Sequence, residues 1–478
     1  MILRDVQNLT YPDGGVEFKS TRKSSSRYSV LHGKKKPETI LIHGSPFVIS
    51  IGSQGKLEIR ERASLLIRGD TIEDIFDSSD RSRVNLETVD VIYDAEQRGG
   101  VVITPGFINA HAHPPMYLLR SALAFEEDDL ATSLKRMALL EQQMTAEDFV
   151  LGAIGDFTEE QRWGITSILS HYGVFDPVEE AAGITRQQVI NAVSAASNSH
   201  PHNTPEMVET YLKAARTYHS TPAVALHYLY KTSPSVLERV ARLVKKYNVL
   251  LTMHSAETKD YVEQCARLHG DTPVKVLDKY GLLGPNCILS HGIYLTREEV
   301  ELIRDRKAGV VHLPTSNLLH RSGTFNYPLF KKVGATDRIA LGTDSVISKN
   351  RLDLLSEALQ AKTLHQEMSN VSYVELFNMI TAQGASILGL KNVGRIAPGY
   401  RADLAFWKLK DRGFLPFDEN DPSTLVSNMI THGGHNIRDL MIRGQFIISN
   451  RMHNIVHEGI LLERLHEAHR ALRERIKK

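Results

Sequence analysis

Two patterns of hydrophobic and polar positions alternate along the chain. Between Thr39 and Thr104 short apolar runs recur (TILIHGSPFVIS, KLEIRE, SLLIRGDTIEDIF, VDVIYD, GVVIT), separated by Gly, Asp and Ser clusters. Alternation broken by turn residues predicts short antiparallel strands joined by hairpins. After Pro105 short apolar runs alternate instead with segments of helical period, such as SPSVLERVARLVKKYN, TKDYVEQCARLHG and REEVELIRDRKAG. Strands are expected near 106–111, 164–169, 189–193, 223–227, 249–254, 287–291, 309–313 and 338–342. Eight strand–helix units of this length suit an α/β fold of the (β/α)8 TIM-like barrel type, for which ~250 residues is typical. Past residue 390 the short-strand style returns (GRIAPGYRADLAFWKL, IRDLMIRGQFIISNRM), and an amphipathic, basic helix is expected over 460–478. The expected organisation has five parts. An irregular basic arm covers 1–38, and a small β-sandwich domain is built from both chain ends, 39–104 and 393–455. The barrel covers 105–392, and a C-terminal helix covers 456–478.

Composition removes several function classes. The 478 residues are 42% hydrophobic and 24% charged, the balance of a globular chain. Lys+Arg (57) and Asp+Glu (56) leave a net charge of +1, so no global charge footprint marks nucleic acid or an anionic membrane as the main partner. The opening MILRDVQNLTYPDGG lacks the apolar core of a secretory signal. No run approaches the ~18 apolar residues of a membrane span. Cys265 and Cys287 are the two cysteines, too few for a disulfide framework or a multi-cysteine zinc site. They suit a reducing compartment, so the cytoplasm is the expected location. Seven basic residues lie between Lys19 and Lys36. A surface loop is the plain reading of that arm and a nucleic-acid contact the sharper one, which the neutral overall balance disfavours.

The 21 histidines direct attention to metal chemistry. His111-Ala112-His113 falls at the end of the first expected barrel strand, where residues i and i+2 share a face and barrel enzymes place their active sites. Three more groups fall at later strand ends: His254, followed by Glu257; His291; and Asp344. Each alone reads as a core histidine, a helix cap or a surface acid. Together at one barrel mouth, imidazoles and a carboxylate match a catalytic zinc site with a position left for water.

PGFINAHAHPPMYLLRS, HSAET, LLGPNCILSHG, HLPTSNLL and LGTDSVISKNRLDLLSE resemble, in order, the motifs of the metal-dependent amidohydrolase superfamily. The likeness runs from about Thr39 to the C-terminus and points to the branch holding S-adenosylhomocysteine/methylthioadenosine deaminases, cytosine deaminase and the triazine hydrolases. It implies His111, His113, His254 and Asp344 as ligands of one divalent ion, zinc in the first place with iron as the alternative. It implies Glu257 as the proton shuttle, His291 as the group that orients water or polarises substrate, and Asp344 as acceptor of the water's proton. Ser316 and Asn317 match a supporting Ser-Asn pair. His227 sits where relatives carry a substrate-facing His-x-Pro-Tyr segment, without the proline. Tyr117 and Glu126 are further candidate substrate contacts. A carboxylated Lys231 bridging two ions is a minor alternative, because this lysine lies four residues past the strand end. A homodimer is also implied.

The reaction implied is hydrolytic deamination of an amino-substituted heterocycle, such as a nucleobase, nucleoside or triazine, by metal-activated hydroxide. The same site could displace chloride or open a cyclic amide. A non-catalytic scaffold is disfavoured because every ligand position carries a competent side chain.

Overall fold

The computed structural model describes residues 37–120, 130–196, 200, 202–213, 217–348 and 351–477. The basic arm up to Lys36, Glu126 and the rest of 121–129 lie outside the described residues.

The chain enters through Thr39–Ile51 (β1), Leu57–Arg68 (β2), Thr71–Asp77 (β3), Val91–Asp94 (β4) and Val101–Pro105 (β5). It returns to them at the far end with Leu404–Lys408 (β14), Ile437–Ile442 (β15), Gln445–Ser449 (β16) and Met452–His453 (β17). These nine strands form one hydrogen-bonded sheet in the order β17-β16-β15-β14-β5-β1-β2-β3, with β4 pairing β1. A bulge between Ile42 and Ser45 lets the long β1 pair β4 in its first half and β5 in its second. The join between the two chain ends is the antiparallel β14–β5 pair, Leu404 to Lys408 against Pro105 to Val101. The sheet has its own apolar core, including Ile42, Leu65, Ile103, Leu404, Phe406 and Met441. Trp407 points the other way, into the main core against Phe107, and its indole N–H donates to Thr104 Oγ1 at 2.9 Å.

Between the two halves lies the parallel sheet. Phe107–Ala112 (β6), Ile165–Tyr172 (β7), Gln188–Ser194 (β8), Ser220–Leu226 (β9), Leu251–Ser255 (β10), Cys287–His291 (β11), Gly309–His312 (β12) and Ile339–Leu341 (β13) pair strictly in sequence order. All eight lie within a few residues of the expected positions. A parallel bridge between Ala112 and Asp344 closes the barrel, with Asp344 N–H donating to His111 O at 3.1 Å. The chain order follows from local chemistry. Capping boxes start the helices Ala146–Arg162 and Arg297–Arg306, and Asn248, in the left-handed region at φ +49, ends Pro234–Tyr247 just before β10.

A cluster of small and branched side chains, including Leu169, Ile190, Ala192, Ala223, Ala225, Ile288, Val311 and Ala340, forms the barrel floor. Counting two residues on along a strand returns to the same face. Leu169 thus leads to His171, Ala225 to His227 and Ile288 to Ser290, so the apolar floor becomes a polar rim at the C-terminal ends of the strands. The helix Glu458–Lys477 packs Leu465 and Leu472 inward. His469 Nδ1 donates to Leu118 O at 2.9 Å, which ties the helix to the turn after β6. None of the described helices is long and apolar enough to cross a membrane.

Candidate metal centre and active site

Three imidazoles meet at the barrel mouth. His111 and His113 come from β6 and the residue after it, His254 from β10. Their Nε2 atoms lie 3.1 Å (His111–His113), 3.2 Å (His254–His111) and 3.4 Å (His254–His113) apart. The opposite ring nitrogens decide what this means. His113 Nδ1 donates to the backbone oxygen of His171 at 2.6 Å, and His254 Nδ1 to that of His227 at 3.1 Å. A carbonyl can only accept, so both rings carry their proton on Nδ1 and turn an Nε2 lone pair to the centre. His111 Nδ1 pairs with Ser290 Oγ at 2.9 Å. Burial holds His111 and His254 well below the usual imidazole range, so both are neutral. Converging lone pairs repel unless a cation lies between them, and this donor set fits one.

Asp344 supplies the charge. Its Oδ1 lies 3.2 Å from His113 Nε2, and its Oδ2 accepts from Ser316 Oγ. Asp344 has φ +59 and His291 φ +73. Such left-handed backbone in non-glycine residues stores strain of about 1–3 kcal/mol and clusters at functional sites. The neighbouring Gly342 has no room for a side chain, since a Cβ there would lie 2.9 Å from both His111 N and His111 O.

Beyond the imidazoles stands a second layer. Glu257, 3% exposed, accepts from Tyr228 OH at 2.6 Å through Oε2, and the same oxygen lies 3.8 Å from His291 Nε2. His291 Nδ1 donates to Asn317 Oδ1 at 2.8 Å, and its Nε2 faces Glu257. Ser316 and Asn317 thus hold Asp344 and His291 respectively. The site opens into a pocket lined by His113, His227, Glu257, His291, His320 and Asp344, with Met116, Leu134 and Met137 as apolar wall.

His111, His113, His254, Glu257, His291, Asp344 and His227 are therefore brought together. Tyr117 is not, and the expectation of a substrate contact there is corrected. The turn Pro114–Leu119 directs Met116 to the cavity. Tyr117 faces the helix Ala146–Arg162, donates to Glu159 Oε2 at 2.7 Å and lies under the Arg120 guanidinium. Lys231 stands in a turn after β9 with its ammonium 5.3 Å from the Tyr228 and Tyr230 ring centres, outside the histidine cluster. Sequence reasoning missed His171, which stacks on His254 at 4.6 Å and belongs to a second compact group with His111 and His254. The signal was present: His171 follows an apolar strand with the same parity as His227. It also missed Tyr228 as the partner of Glu257.

Comparison with known proteins agrees with this geometry. The model of the amidohydrolase family matches residues 102–447. The 5-methylthioadenosine/S-adenosylhomocysteine deaminase of Pyrococcus furiosus is 31% identical over 390 residues, 78% of this chain and 89% of that protein. The enzyme of the same name from Dictyoglomus turgidum is 27% identical over 427 residues, 86% of this chain and 94% of its own. Among solved structures, an adenosine deaminase from Xanthomonas campestris with bound zinc superposes with a TM-score of 0.81 at 22% identity, covering 91% of this chain and 98% of that one. The atrazine chlorohydrolase of Arthrobacter aurescens TC1, complexed with zinc, gives 0.81 at 21% identity, covering 90% and 100%.

Proposed function

The chain belongs to the amidohydrolase family and is a metal-dependent hydrolase of carbon–nitrogen bonds other than peptide bonds. From that premise we propose that it hydrolytically deaminates the aminopurine ring of a thioether-substituted adenosine, of the kind named for its Pyrococcus furiosus relative. The observation that carries the reading is the convergence of three Nε2 lone pairs and the Asp344 carboxylate on one point, with the Glu257 carboxylate just beyond it.

His111, His113, His254 and Asp344 would hold one divalent ion, zinc in our reading. When bound, such an ion supplies Lewis-acid charge and lowers the pKa of water at its open position. The protein's own groups do the rest. Water adds its oxygen to the ring carbon bearing the amino group, and Asp344 accepts its proton. His291 Nε2 orients the water. Glu257 delivers a proton to the adjacent ring nitrogen, the proton held by Asp344 passes to the departing amine, and the hydroxyl proton of the tetrahedral carbon returns to Glu257 as the carbonyl forms. The C–N bond breaks, ammonia leaves and a ring carbonyl remains. Tyr228 OH fixes the Glu257 oxygen it donates to. The apolar wall of Met116, Leu134 and Met137 suits the flat face of a heterocycle.

A homodimer in the cytoplasm completes the reading. It rests on the family resemblance and the cysteine usage, and light scattering of the purified protein tests the dimer. For the reaction, elemental analysis of protein prepared without chelator should find about one zinc per chain. Incubation with 5′-methylthioadenosine should release ammonia. Protein holding two ions per chain, or releasing chloride from chlorotriazines but no ammonia from adenosine derivatives, would refute the corresponding part.

A further inference from the structure

A second, small pocket lies beside the first, between the ends of β7 and β8. The two share His113, Met116, Met137 and His227 as lining, so the side pocket adjoins the metal site. The chemistry of the side pocket differs from that of the main one. Its polar lining includes Glu141, Tyr172, His171 and His200. Glu141, 3% exposed, accepts a hydrogen bond from Tyr172 OH through Oε1. His200 packs against Tyr172 and Phe149, and burial keeps its imidazole toward the neutral form. His171 Nδ1 and His200 Nε2 are buried and have no hydrogen-bond partner among the described residues. No arginine or lysine is among the described lining residues.

These observations define what can be bound. Unpartnered buried nitrogens cost free energy unless a ligand satisfies them. A carboxylate oxygen favours hydrogen-bond donors and an imidazole nitrogen pairs with a hydroxyl in either tautomer, whereas a ligand carboxylate would face Glu141 with no arginine or lysine in the described lining to offset the repulsion. We propose that this side pocket is a selectivity filter: it takes an uncharged, hydroxyl-bearing substituent of the heterocycle and rejects one that carries a carboxylate. The proposal rests on the deaminase reading and divides the two compounds that reading allows. 5′-Methylthioadenosine has only hydroxyls and a thioether on its ribosyl arm, whereas S-adenosylhomocysteine ends in an amino acid.

The test compares kcat/KM of the metal-loaded enzyme for these two compounds, read as ammonia release at substrate concentrations below KM. The methylthio compound should be favoured by at least ~10-fold, which corresponds to about 1.4 kcal/mol of differential binding in the transition state. Glu141→Gln removes the repelling charge and should narrow the ratio. His200→Arg adds a cation and should narrow or invert it, and this second variant reads the same quantity with the Glu141 carboxylate kept. Equal kcat/KM for the two compounds in the parent enzyme, or a ratio that neither substitution moves, overturns the selectivity filter and leaves the deaminase standing. Absence of ammonia from both compounds with a metal-replete protein sinks the deaminase reading and this inference together.

Discussion

Glu257→Gln separates proton transfer from metal binding and from folding. The carboxylate lies 3.8 Å from His291 Nε2 and outside the group of atoms close enough to share an ion with His111, His113 and Asp344. Gln is nearly isosteric, and its amide oxygen can still accept from Tyr228 OH, 2.6 Å away in the parent. The loss of a charged acceptor there costs about 1 kcal/mol of stability. A positioned acid–base group contributes about 10²–10⁴-fold to rate, or roughly 3–5 kcal/mol of barrier. The variant should therefore keep its metal, melt close to the parent and lose at least ~10²-fold in kcat. The competing explanation is that Glu257 only supports the start of the helix Lys259–His269. That role is already filled: Thr258 is the cap and accepts from Tyr261 N–H at 3.2 Å, and Asp260 is the acid of the first turn. A carboxylate near a helix start is worth only about 0.3–1 kcal/mol and touches no rate. The assay is steady-state ammonia release alongside elemental analysis and a thermal melt of the same preparation. Near-parent kcat in metal-replete Glu257→Gln would refute the shuttle and move the proton to His291.

Three other outcomes follow from the geometry. Asp344→Asn should lose both metal and rate, because it removes the only anion of the candidate ligand set while Ser316 Oγ remains as its partner; dialysis followed by elemental analysis reads the first and ammonia release the second. Tyr117→Phe should leave kcat and KM within about twofold and lower stability by about 1–2 kcal/mol, since it deletes the bond to Glu159 and the one accepted from Arg120, and a change in KM for any substrate would restore Tyr117 as a contact. Acid should destabilise the protein through His453. This buried ring accepts from Val456 N–H at 2.9 Å on Nδ1 and bonds Gln161 Oε1 at 2.8 Å on Nε2, and burial lowers its pKa to about 3. A histidine whose folded pKa lies below its unfolded value of about 6.5 contributes stability above the unfolded pKa and loses it as pH falls toward the folded one. At pH 5 the loss is about 1.5 pH units at 1.36 kcal/mol each, or about 2 kcal/mol. Urea unfolding at pH 8, 6.5 and 5 should show this slope, and a His453→Asn protein should show less of it.

The candidate ligands were legible because each combines two local signals, an apolar run short enough to be a barrel strand and a donor side chain at its C-terminal end. Strand parity then places His111, His254 and their partners on the inner face, and the eight strands occur where those runs stand. What sequence could not reach depends on contacts between distant segments. Tyr117 failed because proximity to His113 along the chain says nothing about direction. The tight turn of Pro114–Leu119 sends Met116 inward and Tyr117 toward Glu159, 42 residues on. The Tyr228–Glu257 bond joins the ends of two neighbouring strands, and neither residue marks the other in sequence. His171 was hidden by a boundary error: a strand ended at residue 169 leaves it in a loop, whereas the observed strand runs to Tyr172 and gives it the parity of a rim residue. The left-handed backbone at His291 and Asp344 has no sequence signature either, since glycine, the residue that signals it, is absent from both positions. There the chemistry of the side chain outweighs the conformational preference of the backbone. The ions and protons of the reaction are therefore readable from residue type, while the shape that selects the substrate is assembled by folding alone. That division explains why the family of this chain is plain in its motifs and why its selectivity has to be sought in the side pocket of Glu141, Tyr172 and His200.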